Sequence, residues 1–169
     1  MKTTLIHHPF YQTYIDKVNL NNTILENLQN SLNEVFSVLG DVSEEQANYS
    51  YKKDKWSLKQ LLQHIIDTER VMSYRAFAIA RNDKNNLHGF DENEYIYNSN
   101  ASNSNFINLL KEFSLLRKSN IAMFKNFTPK LLSKIGKANN SEINTYTLGY
   151  ILSGHVYHHL DIVKKRYLN

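Results

Sequence analysis

Three histidines have the types and spacing of a metal site. His155 and His159 lie four residues apart in a segment with helical apolar spacing, and residues four apart share one face of an α-helix. Two imidazoles on one face can bind one metal ion, and His64 from another helix would complete a facial set. Three neutral ligands leave coordination positions open for chemistry. The predicted cofactor is therefore a divalent metal ion, and these ligand types leave its identity open among Zn, Ni and Fe.

Each of these histidines also has an ordinary structural interpretation. His155 and His159 fall in the apolar stripe of their helix, where a buried imidazole costs free energy unless its nitrogens find partners. A metal supplies such partners, and so would hydrogen bonds. His64 lies near the edge of its own apolar stripe, so it is either a boundary histidine or a ligand beside an open groove. His158 is an alternative i+3 partner of His155, but its position at the margin of the stripe argues against a ligand role.

The elements that must position these histidines are four long helices, which the spacing of apolar residues predicts. They cover approximately 21–39, 56–81, 104–126 and 145–167. Ser57 and Gln60 have the spacing of a capping box, so Ser57 is the predicted N-cap of the second helix. A short leading helix is expected over 10–18, and no segment has a convincing strand pattern. The predicted fold class is all-α, a four-helix bundle with long connections and short accessory helices, in a single domain over residues 1–169.

Two connections are long enough to cross over the bundle, 40–56 and 82–103. The second contains Gly89-Phe90-Asp91-Glu92, which we expect to fold over one end of the bundle beside the metal. A substrate pocket is predicted in the groove between the second and fourth helices, next to this segment. Gly154 costs roughly 1 kcal/mol relative to alanine inside a helix. Two explanations for a glycine at this position stay open. Another backbone or a bound group approaches closely there, or the glycine serves simple helix packing.

Metal-dependent chemistry also needs a general base. The candidates are carboxylates near His64 in sequence or in the second connection: Asp67, Asp91 and Glu92. Glu69 points roughly 140° away from His64 on an ideal helix. It is expected to form an ion pair with Arg70 or Arg75 instead.

The composition limits the classes of protein. The chain has 169 residues and no cysteine, which excludes disulfides, thiolate zinc sites and a cysteine nucleophile and is compatible with the cytoplasm. No apolar run approaches the roughly 18 residues of a membrane span, and the first residues lack a signal-peptide pattern. The net charge of +4 comes from scattered Lys and Arg. We therefore expect no nucleic-acid or membrane partner.

Several motifs occur in a fixed order along the chain: Trp56-Ser57, His64-Ile65, Asp67, Glu69-Arg70, Tyr74-Arg75, Gly89-Phe90-Asp91-Glu92, Gly154-His155 and His158-His159-Leu160. Together they resemble the DinB-like superfamily over nearly the whole chain. The resemblance implies a four-helix bundle that carries a divalent metal on His64, His155 and His159, often as a homodimer. It also implies a small-molecule substrate, with activity as a metal-dependent hydrolase or a low-molecular-weight thiol transferase. The alternative is a non-catalytic metal-binding and dimerisation module, in which the metal joins the second and fourth helices.

Overall fold

The computed structural model describes residues 4–168. Its helices are α1 (Gln12–Ile15), α2 (Ile24–Leu39), α3 (Glu44–Ala47), α4 (Leu58–Ala80), α5 (Glu92–Tyr97), α6 (Phe106–Lys125), α7 (Pro129–Leu132) and α8 (Thr145–Arg166). Its strands are β1 (Asn86–Leu87), β2 (Ile135–Ala138) and β3 (Ser141–Asn144). Short 3-10 turns cover Pro9–Tyr11 and Ala101–Asn103. The predicted four-helix bundle is confirmed, and α2, α4, α6 and α8 form it.

The long helices begin where side chains satisfy their first free N–H groups. The Ser57 hydroxyl accepts from the Gln60 backbone N–H at 3.3 Å, and the Gln60 side chain accepts from the Ser57 N–H at 2.9 Å. This is the predicted capping box. Thr23 and Glu26 form a second one, so α2 begins at Ile24, three residues later than its apolar spacing predicts. A capped N-terminus fixes where each helix starts and therefore which residues face the core.

The order of helices around the bundle is not sequential. α4 packs against α6 and α8, and α2 also packs against α6 and α8. α2 and α4 therefore occupy diagonally opposite corners, as do α6 and α8. The connection from α2 to α4 crosses the bundle, as its length allowed, and so does the connection from α6 to α8. The connection from α4 to α6 joins neighbours instead.

One buried side chain joins all four bundle helices. Arg117 of α6 is fully buried and donates from Nε and Nη2 to the two carboxylate oxygens of Glu69 on α4, each at 2.8 Å. It also donates to the carbonyl of Leu28 on α2 and to that of Leu152 on α8. The expected ion pair of Glu69 with Arg70 or Arg75 is therefore wrong, because the partner lies on a different helix. Arg70 pairs with Glu112 at 2.7 Å.

A small three-stranded sheet, which the sequence did not predict, lies beside the bundle. β1 pairs with β2 in parallel, and β2 pairs with β3 in an antiparallel hairpin. Asn139 and Asn140 form the hairpin turn, with φ of 49° and 63°, and asparagine tolerates this left-handed region better than most residues. Strands of two to four residues are too short to show the alternation that identifies a strand. The sheet brings the hairpin turn to the same end of the bundle as the segment around Gly89.

The N-terminal segment packs against α8 at Gly154. A Cβ atom added there would lie 2.1 Å from the carbonyl oxygen of Tyr14, far inside contact distance. The close backbone approach considered for Gly154 is thus the correct explanation. Within residues 4–168, no helix combines the length and apolarity that a membrane span requires.

Candidate metal centre

The side chains of His64, His155 and His159 converge on one point. Their Nε2 atoms are 3.1 Å apart between His64 and His155, 3.2 Å between His64 and His159, and 3.1 Å between His155 and His159. Two nitrogens that each bind one ion at about 2.0–2.1 Å lie about 2.9 Å apart in octahedral geometry and about 3.4 Å apart in tetrahedral geometry. The spacing of the three imidazoles therefore fits a single metal ion.

Hydrogen bonds alone do not satisfy this triangle. The Nε2 of a neutral imidazole is either a donor or an acceptor, not both. Three such atoms in mutual contact always include at least one pair of the same kind, either two lone pairs or two N–H groups. A central cation removes this conflict, because all three nitrogens can then present lone pairs. The donor set itself therefore favours a cation over a network of hydrogen-bonded core histidines.

Burial keeps these imidazoles neutral. The three side chains are 8%, 4% and 8% exposed for His64, His155 and His159. Desolvation lowers the pKa of His64 to about 4, with a smaller contribution from His158. Desolvation, followed by the neighbouring imidazoles, holds the pKa values of His155 and His159 well below the ordinary range. All three lone pairs are thus available to a metal at neutral pH.

Neighbouring aromatic rings fix the orientation of the ligand candidates. The Trp56 ring lies 4.9 Å from the His64 ring, centroid to centroid, just before α4 begins. Tyr14 of α1 makes an edge contact with His155 at 5.3 Å. The same tyrosine packs against His158 at 5.4 Å. His158 is half-buried and lies outside the converging set.

The triad lines a cavity of about 570 Å³. The cavity is bounded by α4, α8, the N-terminal segment, the segment around Gly89 and the β2–β3 turn. Its lining residues are His8, Phe10, Tyr11, Tyr14, Trp56, His64, Thr68, Met72, Arg75, Gly89, Phe90, Glu92, Ala138, Asn139, Ser141, His155 and His159. This volume is that of a small-molecule site. It lies in the predicted groove between the second and fourth bundle helices, flanked by the predicted segment.

The three candidate bases have different positions. Asp67 accepts a hydrogen bond from Gln63 at 2.9 Å and lies 3.7 Å from Arg70, and it does not line the cavity. Asp91 is the N-cap of α5, where its carboxylate accepts from two backbone N–H groups. Glu92 alone of the three lines the cavity.

Other cavity residues escaped sequence reasoning. The sequence pattern suggests Arg75 only as one of two possible ion-pair partners of Glu69, although Arg75 lies eleven residues after His64 and so on the same face of α4, about three turns along. That spacing was the available signal. The N-terminal aromatic residues and the hairpin residue Asn139 reach the cavity through tertiary packing, which no local pattern encodes.

The fold and the site define a four-helix-bundle protein with a buried histidine triad at the base of a small-molecule cavity. The chain belongs to the DinB superfamily, whose family model matches residues 26–163. The resemblance stated from the motifs is thereby confirmed.

Among solved structures the chain is similar to YfiT from Bacillus subtilis, described as a probable metal-dependent hydrolase with an unusual four-helix bundle topology. The two are 14% identical, with a TM-score of 0.70, over 95% of this chain and 87% of YfiT. At this identity the likeness concerns the fold. The comparison with curated proteins found no match.

Proposed function

We propose that this protein is a metal-dependent enzyme that acts on a small molecule, with a divalent ion held by His64, His155 and His159. The observation that carries the proposal is the convergence of three buried Nε2 atoms, 3.1–3.2 Å apart, at the base of a cavity. Membership of a superfamily that contains a fold relative described as a probable metal-dependent hydrolase supports the same kind of activity.

When bound, the ion would act as a Lewis acid that activates water or holds a thiolate. The chain's own residues would bind and orient the substrate and exclude bulk water. Trp56 and Tyr14 hold the imidazoles in place, and the apolar rings of the N-terminal segment cover the cavity. Glu92 is the candidate proton acceptor, because it is the only aspartate or glutamate among the described residues that line the cavity.

The finer activity we propose is hydrolysis or transfer of a low-molecular-weight thiol. A cavity of about 570 Å³ accommodates either class of substrate. We further propose a homodimer in the cytoplasm, which the superfamily resemblance and the cysteine-free composition support. Light scattering of the purified protein would test the dimer directly.

One observation favours a second candidate, a non-catalytic metal-binding module. Asp67 and Asp91 are engaged by other groups, and Glu92 is exposed. In this alternative the metal would join α4 to α8 and no turnover would follow.

The experiment that separates these functions uses protein purified without an affinity tag. Metal content would be measured for the wild type and for His159→Ala, with His158→Ala as the matched control one residue away. We expect about one divalent ion per chain in the wild type and in the control, and almost none in His159→Ala. Equal metal content in all three proteins would contradict the assigned ligands.

Turnover would then be screened with thiols and with small ester and amide substrates. Activity that requires both metal and His159 supports the enzyme. Metal binding without turnover across the screen supports the module, and turnover that survives His159→Ala rejects metal catalysis.

A further inference from the structure

Arg75 is a buried cation without a counter-ion. The residue is only 3% exposed, yet no carboxylate of the described residues lies within 4 Å of its guanidinium. Nη2 donates to the carbonyl of His88 at 2.6 Å, and Nη1 donates to the Tyr11 hydroxyl at 3.3 Å. Nε is buried with no hydrogen-bond partner. A buried charge with only neutral partners is costly unless something else compensates it.

Arg117 shows how this fold satisfies a buried arginine. There, Nε and Nη2 bind both oxygens of Glu69, which is the bidentate geometry that a guanidinium favours. In Arg75 the corresponding edge has an unpaired Nε and a single neutral acceptor at Nη2. The difference between the two residues is a missing carboxylate-like partner.

The location of Arg75 indicates where that partner comes from. Arg75 lines the cavity that contains the histidine triad. It also lines an adjoining cavity of about 510 Å³, which shares Gly89 and Phe90 with the first. Glu92, the acidic residue on the cavity wall, forms no ion pair with Arg75 among the described residues. A ligand that enters the cavity is therefore the available source of negative charge.

Thr68 provides a second unpartnered group on the same wall. It is 4% exposed, it lines the cavity, and its Oγ1 has no hydrogen-bond partner. On α4, Thr68 follows His64 by four residues and precedes Arg75 by seven, so all three share one face. Thr68 and Arg75 have Cα atoms roughly 10 Å apart along the helix, and the long arginine side chain leans back toward the N-terminus of α4.

We propose that this wall of α4 recognises the substrate, and that the substrate is an elongated small molecule with an oxyanion, carboxylate or phosphate, at one end. Arg75 binds the oxyanion, Thr68 hydrogen-bonds to the middle of the molecule, and the reacting group reaches the histidine triad. This inference rests on the proposed function for the role of the triad. It adds the chemical class of the substrate.

Calorimetric titration of the metal-loaded protein tests the inference. The probes are glutarate, its uncharged analogue glutaramide, and inorganic phosphate. We expect an oxyanion to bind about tenfold or more tightly than glutaramide, and Arg75→Met to weaken that binding by about tenfold. Arg75→Lys should retain part of it. Arg81→Met, at the exposed C-terminal end of α4, is the matched control and should bind like the wild type.

The two oxyanion probes distinguish the sources of negative charge. Preference for glutarate identifies a carboxylate substrate, and preference for phosphate identifies a phosphorylated one. Thr68→Val should weaken binding of the preferred probe severalfold without loss of metal. Equal binding by Arg75→Met and the wild type, binding of both oxyanions no tighter than that of glutaramide, or no binding of any probe would overturn the inference.

Two further measurements keep the result interpretable. Arg75→Met removes an uncompensated buried charge, so it should unfold at the same temperature as the wild type or higher.

Repeating the titration with metal-free protein separates the two proposals. Arg75-dependent binding in a protein that takes up no metal would reject the proposed function alone, whereas normal metal uptake without Arg75 dependence would reject the oxyanion site alone.

Discussion

At the scale of residues, the candidate metal centre consists of three imidazoles that burial keeps uncharged. His64, His155 and His159 come from two helices, and each contributes the same atom, Nε2, to a triangle that a single ion would fill. Burial of the triad is unfavourable without the ion, because at least one pair of Nε2 atoms then presents like groups, either two lone pairs or two N–H groups. The same desolvation that prepares the ligands for metal therefore makes the metal-free protein sensitive to pH.

The first prediction concerns this sensitivity in metal-free protein. The pKa of His64 falls from 6.5 to about 4 on folding, so between these pH values the unfolded chain binds more protons than the folded chain. The contribution of the neutral His64 imidazole to the free energy of unfolding is then fully present above about pH 6.5. It is lost as pH falls toward about 4, by up to about 1.4 kcal/mol per pH unit. His155 and His159 shift in the same direction and add to the slope.

Urea unfolding from about pH 7.5 down to about pH 5 measures this slope. His64→Gln should reduce it, and the same substitution at the exposed His88 should leave it unchanged. A free energy of unfolding that stays constant over this range in the wild type would contradict the assignment of neutral, desolvated imidazoles.

At the scale of elements, four long helices were predictable because their apolar residues repeat at helical spacing and their caps have local signatures. The start of α4 is predictable from Ser57 and Gln60, because a serine followed three residues later by a glutamine is the local signature of a capping box. The β2–β3 hairpin was not predictable, because its strands are four residues long. The partner of Glu69 was also hidden, since Arg117 lies 48 residues away in the chain. The three histidines were accessible to sequence reasoning because two of them share one helical face.

The second prediction concerns the buried ion pair that joins the helices. Arg117→Met leaves the Glu69 carboxylate buried with only Asn120 as a side-chain partner, and this should lower the free energy of unfolding by about 3–5 kcal/mol. Combining it with Glu69→Leu should recover part of the loss, because no unpaired charge remains. Urea denaturation of the two single variants and the double variant measures this. A single Arg117→Met variant as stable as the wild type would show that the pair does not join the helices energetically.

At the scale of the whole molecule, we expect the apolar core of the bundle to hold the four long helices together without the metal. Apolar side chains fill the space between all four long helices, and this burial is the dominant favourable term in folding. The candidate metal centre lies to one side of this core, where α1, the segment around Gly89 and the hairpin turn enclose the cavity. Helical structure and metal binding should therefore be separable.

The third prediction follows from that separation. His155→Ala should lose metal and retain the helical circular dichroism of the wild type, and it should unfold in a single cooperative transition, as expected for one domain. The metal-loaded wild type should unfold at a higher temperature than the metal-free protein, because the ion binds only the folded state. Loss of helical signal on removal of the metal would instead support a structural role for the ion.

The central claim is that His64, His155 and His159 bind one divalent ion. A crystal structure of the metal-loaded protein, with anomalous scattering recorded at the absorption edge of the bound metal, tests it most directly. The account predicts one anomalous peak at the base of the cavity, about 2.0–2.2 Å from the Nε2 atom of each histidine, with His158 outside the coordination sphere. A peak elsewhere, or a structure in which His64 turns to solvent away from the other two histidines, would contradict it.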